Sequence, residues 1–309
     1  MAHEVGMDRA PRTDLRSLGW CPAPRPDDAF LRDVLAGLDR PPRSLPSRYF
    51  YDAHGSRLFQ WITRLPGYYL TRVEREILDR HGEAMVAPLR GGPCTVVDLA
   101  QAALDEAAAR VRAELPGTRV VPVRAAYASA LRRLGRLPGA GPKLVLFLGS
   151  SIGNLEHAAA VALLRELRSA LGPGDHLLVG FDLVKPLPLL RRAYHDPQGV
   201  TRAFNLNLLA RLNRELGADF DLPAFRHLAT WDPERPAMES WLESTRAQAV
   251  HLPGRAIHLA AGERIHTEIS CKYRGAQVTA LGADAGLGEV ARWSDPDRWF
   301  LDVLWRVAR

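Results

Sequence analysis

The sequence predicts an α/β fold with a mainly parallel sheet. Three apolar runs have the length and composition of strands that are buried on both faces: Cys94 to Leu99, Lys143 to Leu148 and His176 to Leu183. Segments with helical spacing of apolar residues lie between them, and this alternation is typical of a parallel sheet with helical crossovers. Open α/β sheets bind ligands at the carboxyl ends of their strands, so we expect a site there.

Composition places the chain among globular proteins. It has 309 residues, of which 47% are hydrophobic and 25% charged, enough to bury a substantial core. The net charge of +6 is spread along the chain without a block of like charges, which argues against a nucleic-acid groove. No apolar run has the length of a membrane span, and the amino terminus lacks a signal-peptide core. We therefore expect neither a nucleic-acid nor a membrane partner.

The three cysteines are Cys21, Cys94 and Cys271. They are odd in number and far apart, so they predict neither a disulfide framework nor a zinc site. This usage is typical of a reducing cytoplasm, and we expect a cytoplasmic protein without a metal.

The amino-terminal part predicts helices that precede the first strand. Residues 1–24 are polar and are expected to form a mobile tail. Asp27 to Leu38 has the apolar spacing of an amphipathic helix. Ser56 is the predicted cap of a second helix, and Thr71 with Glu74 has the spacing of a capping box that opens a third.

The middle of the chain centres on Lys143 to Asn154, which reads KLVLFLGSSIGN. The apolar strand is followed by a turn of small residues, and Asn154 stands where a helix N-cap is expected. A helix is predicted from Leu155 to Leu171, ended by Gly172-Pro173-Gly174. Arg119 to Arg124 is predicted to be a further strand.

The pattern changes after the strand that ends near Leu183. From Pro186 to about Ala261 the chain mixes helical and polar segments, and the clearest helix is Asn205 to Leu216. Arg264 to Tyr273 alternates like a strand, and Trp299 to Val307 is strand-like again. An inserted module thus interrupts the α/β layer, which the last residues complete.

The turn after Leu148 matches a short catalytic motif. Gly149-x-Ser151-x-Gly153 has the form of the nucleophile elbow of α/β-hydrolases. In that hypothesis Ser151 is the nucleophile, Asp182 the acid and a later histidine the base; the candidates are His227, His251, His258 and His266. No HGGG-type oxyanion segment is present, and the alternative is a small-residue turn that lets a ligand come close.

Several polar residues allow two interpretations. Asn154 is either a helix cap or an amide offered to a ligand. Glu268, Ser270 and Lys272 share one face of their strand, and in isolation that face is expected to be solvated. The tyrosines 51, 68 and 69 are either core aromatics or site residues.

Five segments together resemble the L-histidine Nα-methyltransferases of ergothioneine biosynthesis: residues 47–78, 144–154, 182–185, 203–221 and 264–273. The similarity covers most of the chain from about residue 25. It implies a Rossmann-like methyltransferase domain with a second, inserted substrate-binding domain. The implied substrate-binding domain comprises 25–72 and 186–272, and the Rossmann-like domain comprises 73–185 and 273–309.

The resemblance implies transfer of methyl groups from S-adenosylmethionine to the α-amine of L-histidine, up to the trimethylated betaine hercynine. A methyl transfer needs alignment of amine, methyl and sulfur and no covalent enzyme intermediate. The only partner implied is a small molecule, and we expect a monomer.

The resemblance also implies the residues of the substrate site: Tyr68, Gly149, Asn154, Tyr194, Met238, Glu268 and Ser270. Tyr51 and Tyr68 are implied to be the catalytic residues. Asn154, Glu268 and Ser270 are implied to bind the imidazole, and Tyr194 the carboxylate or amine end. Met238 lines the pocket in this interpretation.

The cofactor half departs from the family pattern. Val96-Val97-Asp98-Leu99 runs directly into Ala100-Gln101-Ala102, without the Gly-rich loop that the family has there. One βα unit, on the order of 25 residues, is missing, so the sheet is predicted to be one strand short. The remaining cofactor candidates are Asp98, Ala126 and Tyr127, and the family tends to have Asp where Ala126 stands. A histidine-binding relic without catalysis is therefore the alternative function.

Overall fold

The computed structural model describes residues 26–39, 41–89, 94–98, 120–124 and 142–308. Its α-helices are α1 (Pro26–Leu38), α2 (Ala53–Ile62), α3 (Leu70–Val86), α4 (His157–Ala170), α5 (Leu187–Tyr194), α6 (Val200–Leu216) and α7 (Gly275–Asp284). Its strands are β1 (Arg43–Ser44), β2 (Cys94–Asp98), β3 (Val120–Arg124), β4 (Leu144–Phe147), β5 (His176–Asp182), β6 (Phe225–Asp232), β7 (Ala237–Ser244), β8 (Gln248–Leu252), β9 (Arg255–Leu259), β10 (Arg264–Cys271), β11 (Leu287–Ser294) and β12 (Phe300–Val307).

The larger sheet in the described part of the chain has six strands in the order β11-β12-β5-β4-β2-β3. Strands β3, β2, β4 and β5 pair in parallel, and β12 lies antiparallel between β5 and β11. This is a Rossmann-like sheet, and it confirms the predicted α/β class. The carboxyl ends of β2, β4 and β5 meet at one edge.

A second sheet has the order β1-β10-β7-β6, and β8 and β9 form a hairpin. The pairs β10–β7 and β7–β6 are antiparallel, and the register of β10 shifts between His266 and Glu268. Thr267 is the extra residue at this bulge, and its hydroxyl donates to Asn205 Oδ1 at 2.8 Å and to the Ser240 carbonyl at 3.0 Å. The bulge is therefore anchored to helix α6.

Three apolar cores hold these layers together. One packs α4 and α7 against the larger sheet, and another packs α1, α2 and α6 against the second sheet. The third contains residues of α3, α5 and β5 together with Met238 of β7, so it joins both sheets. The division into two domains at the boundaries given above stays a prediction.

The predicted strands of the larger sheet are confirmed to within a residue at most ends. Helix α1 and the strands at 264–271 and 300–307 are also where the patterns predict them. Strands β6 to β9, helix α7 and strand β11 were not predicted. The polar tail at 1–24, the helices expected after β2 and β3, and the missing βα unit lie outside the described residues.

Three predicted helix caps are wrong. Helix α2 is capped by Asp52, which accepts the Gly55 amide proton at 2.6 Å, and Ser56 lies inside the helix. Helix α3 begins at Leu70 without a side-chain cap, because Glu74 points away to Gly149. Helix α4 begins at His157 after a 3₁₀ turn, Ser151–Asn154, so Asn154 is not its cap.

No helix among the described residues is long and apolar enough to cross a bilayer.

Candidate active site

The turn after β4 is tightly fixed. Gly149 and Ser150 both have positive φ, +73° and +52°. The Glu74 carboxylate accepts the Gly149 amide proton at 2.8 and 3.0 Å, and the Ser150 hydroxyl accepts the Asp182 amide proton at 2.9 Å. A Cβ at Gly153 would lie 3.0 Å from the Cys271 carbonyl oxygen, so this glycine lets the turn lie directly against β10.

The hydrolase hypothesis is wrong for this turn. Ser151 Oγ donates to the Leu148 carbonyl at 2.9 Å, and the residue with strained backbone is Ser150. The described contacts of Asp182 are tyrosine and lysine side chains, with no histidine among them. The proposed bases lie elsewhere: His251 on Asp219, His266 against Trp241, His227 beside His195, and His258 on strand β9.

A buried polar network begins at the end of β5. The Tyr69 hydroxyl donates to Asp182 Oδ1 at 3.0 Å and Oδ2 at 2.8 Å. Lys185 donates to the Tyr69 hydroxyl at 2.8 Å and pairs with Asp182, and burial lowers the Lys185 pKa to about 8. All three side chains are buried, so Asp182 is a charge held by fixed partners.

The network continues through Lys272 to two hydroxyls. Lys272 Nζ lies 2.8 Å from Asp182 Oδ2, and it donates to the Tyr194 hydroxyl and to Ser270 Oγ, both at 2.7 Å. Tyr194 and Ser270 are themselves 2.7 Å apart. Ser270 and Lys272 are buried, so the expectation of a solvated strand face is wrong at these positions.

Glu268 follows the same face of β10. It is half-buried, and Ser240 on the paired strand lies 3.5 Å from its Oε2. Burial raises the Glu268 pKa to about 7, although the Lys272 charge opposes this shift. Met238 is the partner of Ser270 in the register and is buried in the core that also contacts Tyr68. The structure therefore brings Met238, Glu268 and Ser270 together.

Tyr68 reaches this cluster from the opposite side. Burial raises its pKa well above the ordinary value, and the nearby Tyr194 and Glu268 raise it further. Its ring lies 6.3 Å from that of Phe59, and Tyr51 packs on the other side of Phe59 at 5.5 Å. Tyr51 is thus one aromatic ring removed from Tyr68, within the core of the second sheet.

Asn154 ends the 3₁₀ turn that lies against β10. Its side chain is half-buried and makes no hydrogen bond to a described residue. It is not a helix cap, so the first interpretation of Asn154 is wrong. The second interpretation, an amide offered to a ligand, stays a prediction.

The cofactor edge is described only in part. Val96 pairs with Leu146 and Asp98 with Arg124, so Asp98 ends β2 beside the turn that contains Gly149. Gly149 is exposed, and a Cβ there would contact Ser151 Oγ at 3.6 Å and no other described residue. An open glycine turn next to an acidic strand end fits a nucleoside-bearing cofactor. Ala126 and Tyr127 lie outside the described residues, and Asp98 is described by its backbone.

Four residues of the network had no assigned role in the prediction of a methyl-transfer site: Tyr69, Asp182, Lys185 and Lys272. Sequence signals point to three of them. Tyr69 directly follows Tyr68, and Lys185 stands three residues after Asp182. Lys272 continues the alternation of Glu268 and Ser270. The sequence therefore predicts that the three share a strand face, but it does not predict that Lys272 is buried.

The protein has a Rossmann-like sheet, and a buried polar network adjoins the carboxyl ends of its strands. This arrangement is typical of enzymes that act on small molecules. Residues 30–101 and 93–307 match the family model of histidine-specific, S-adenosylmethionine-dependent methyltransferases. The chain belongs to that family.

Named relatives agree with this family. The chain is 42% identical over 300 residues to a histidine N-alpha-methyltransferase of Mycolicibacterium smegmatis, covering 87% of this chain and 92% of the relative. It is 40% identical to the protein of that name from Mycobacterium tuberculosis, covering 86% and 91%. It is 28% identical to ergothioneine biosynthesis protein 1 of Neurospora crassa, covering 89% of this chain and 35% of that protein.

The two matched segments of the family model overlap at 93–101. This is where the sequence passes from the first strand into Ala100-Gln101-Ala102. The alignment with the M. smegmatis relative spans 300 positions but takes in 87% of this 309-residue chain, so it contains positions without a counterpart here. The loss of a segment near residue 99 stays a prediction.

Proposed function

We propose that this protein transfers methyl groups from S-adenosylmethionine to the α-amine of L-histidine, towards the trimethylated betaine used in ergothioneine biosynthesis. One observation carries the proposal: the buried Tyr194 and Ser270 hydroxyls lie 2.7 Å apart, and Tyr68 and Glu268 lie near Tyr194. The family supplies the reaction class, and the polar side chains supply a means of recognising histidine.

Recognition of the imidazole rests on Glu268 and Asn154 in this proposal. With a pKa of about 7, Glu268 is present in both protonation states near neutral pH, the range in which free imidazole also titrates. The Asn154 amide can both donate and accept a hydrogen bond. An amino acid without a polar ring would leave these buried groups unpaired, which is costly.

Tyr68 orients the amine instead of removing its proton. Its raised pKa keeps the hydroxyl neutral at physiological pH, because ionisation would place an anion near Glu268. The neutral hydroxyl accepts a hydrogen bond from the amine N–H, and the proton leaves to water. The ring face also favours the methylammonium charge that forms in each transfer.

When bound, S-adenosylmethionine supplies an electrophilic methyl group. The Gly149 turn and Asp98 are the described residues proposed to hold it. Tyr51 is proposed to support the Phe59–Tyr68 aromatic contact, and Met238 to close the apolar side of the pocket.

Calorimetric titration of the full chain with S-adenosylmethionine, with histidine and with both tests the proposal. We expect both ligands to bind, and mass spectrometry to show histidine gaining methyl groups stepwise. Absence of methylated histidine when both ligands bind contradicts it.

A second candidate function is a histidine-binding protein without catalysis. The overlap of the two matched family segments at 93–101 favours it, because the Gly-rich loop of the family is expected there. Histidine binding without S-adenosylmethionine binding in the same titration supports this candidate.

We also propose that the protein acts as a cytoplasmic monomer on free histidine. Sedimentation with and without histidine tests the monomer, and fractionation of the source cells tests the compartment.

A further inference from the structure

The hydroxyls of Tyr194 and Ser270 form one unit with Lys272. The three polar atoms are mutually 2.7 Å apart, and the third contact of Lys272 is Asp182 Oδ2 at 2.8 Å. An ammonium group has three protons and no acceptor. All its donors are therefore committed: one to each hydroxyl and one to the carboxylate.

A count of protons follows from these contacts. Each hydroxyl oxygen accepts one bond from Lys272, and one hydroxyl proton joins the two oxygens. The other hydroxyl proton remains, and no described residue accepts it. Tyr194 and Ser270 are both buried, so this donor requires a partner other than bulk water.

We propose that Lys272 is a positioning residue that turns Tyr194 and Ser270 into a single outward hydroxyl donor for an acceptor atom of histidine. The inference rests on histidine being the substrate, as proposed above. It differs from the expectation that Tyr194 and Ser270 contact different ends of the substrate, because their 2.7 Å separation makes them one contact. The acceptor is a carboxylate oxygen or the unprotonated ring nitrogen.

Lys185 provides a matched control. It is also buried and also pairs with Asp182, but it donates to Tyr69 and not to Tyr194. In Lys272→Met, Asp182 keeps Tyr69 and Lys185 as partners. In Lys185→Met, Asp182 keeps Tyr69 and Lys272. The two variants therefore remove the same charge from the same carboxylate, and they differ in which hydroxyl they release.

The test measures histidine affinity by calorimetry and steady-state kinetics on the full chain. Lys272→Met is expected to raise the Kd and KM for histidine on the order of tenfold, with a smaller change in kcat, since a charge-assisted hydrogen-bond contact is lost. Lys185→Met is expected to change the Kd by less than about twofold. Adding Lys272→Met to the double variant Tyr194→Phe, Ser270→Ala is expected to have little further effect, because the hydroxyls through which Lys272 acts are gone.

Histamine, which lacks the carboxylate, distinguishes the two acceptors. If the Lys272→Met penalty disappears with histamine, the carboxylate is the acceptor; if it persists, the ring nitrogen is. Equal effects of Lys272→Met and Lys185→Met, or additivity with the hydroxyl variants, would overturn the inference. Failure of the unaltered protein to bind histidine would instead contradict the proposed function.

Thermal unfolding of each variant checks folding. If Lys272→Met does not fold, the double variant Tyr194→Phe, Ser270→Ala carries the test, since it removes both hydroxyls and leaves Lys272 paired with Asp182. It is expected to raise the histidine Kd on the order of tenfold, and an unchanged Kd contradicts the proposal.

Discussion

The Glu74 carboxylate holds the backbone of Gly149, with its two oxygens 2.8 and 3.0 Å from the amide nitrogen. Glu74 belongs to helix α3 and Gly149 to the turn after β4, so one side chain couples a helix to the floor of the site. Glu74→Ala is expected to destabilise the fold by about 1–3 kcal/mol, because a bond to a buried charge is lost. Urea unfolding measures this. Glu74→Gln keeps an acceptor oxygen and is expected to lose less; an equal loss in both variants would mean that the charge and not the contact matters.

A substitution at Gly180 tests how closely Glu74 is packed. A Cβ at this position would lie 2.3 Å from Glu74 Oε1 and 2.9 Å from the Phe300 ring. Gly180→Ala is therefore expected to displace Glu74 and lower the urea midpoint, by about 1–3 kcal/mol of unfolding free energy. At Gly82 in helix α3, no described residue lies within 4 Å of the position that a Cβ would take. Gly82→Ala is expected to be neutral or to stabilise by about 0.5–1 kcal/mol, and a loss there would point to a general effect of alanine.

The two serines of the turn are expected to behave differently. Ser150 is buried and accepts the Asp182 amide proton, so Ser150→Ala leaves that N–H unpaired and costs about 1–3 kcal/mol. Ser151 donates to a backbone carbonyl, and Ser151→Ala is expected to cost less than about 1 kcal/mol and to leave activity unchanged. A fluorophosphonate probe is expected not to label Ser151. Labelling that the Ser151→Ala variant abolishes would restore the hydrolase hypothesis.

Glu268 predicts a pH dependence. Its folded pKa of about 7 lies above the ordinary value of 4.5, so the folded state holds the proton more tightly than the unfolded state. This stabilisation is fully present below pH 4.5 and is lost as the pH rises through about 7. Urea unfolding at pH 5 and pH 8 is expected to show that loss, and Glu268→Gln is expected to reduce it. Histidine affinity is expected to change in the opposite direction, rising with pH as the carboxylate forms and accepts the imidazole N–H.

Variants of Tyr68 and Tyr51 distinguish a residue that contacts the substrate from one that supports its neighbour. Tyr68→Phe removes a hydroxyl from the cluster around Glu268 and is expected to lower kcat/KM by about tenfold to a hundredfold. Tyr51→Phe keeps the ring that packs on Phe59 and is expected to have a smaller effect. Initial rates with both variants measure the difference. A larger loss in Tyr51→Phe would show that its hydroxyl contacts the substrate.

The larger sheet was predictable because its strands are continuous apolar runs, which periodicity detects. The strands β6 to β9 were missed because polar residues interrupt each of them, so that none is a continuous apolar run. Two cap predictions failed because tertiary structure outweighs local preference. Asn154 belongs to a 3₁₀ turn, and Glu74 bonds the Gly149 amide.

The site was predictable to the extent that its motifs are contiguous. Glu268 and Ser270 follow from a segment that resembles the family, whereas the pairing of Lys272 with Asp182 required the fold to bring β5 and β10 together. The role of Lys272 could not be predicted because it depends on the burial of this side chain. A lysine at the end of an alternating strand is ordinarily solvated, and only packing against Tyr194 makes it internal.

The bulge at Thr267 sets the phase of strand β10. Ile265 faces Leu242 before the bulge, while Glu268 and Ser270 face Ser240 and Met238 after it. Because of this one additional residue, the side chains on the inner face have odd numbers before the bulge and even numbers after it. The first half of the inner face is therefore apolar, and the second half is polar. Deleting Thr267 would shift the second half of the strand by one residue, so that Ile269 and Cys271 would take the places of Glu268 and Ser270. An apolar lining would then replace a polar one without any substitution in the strand.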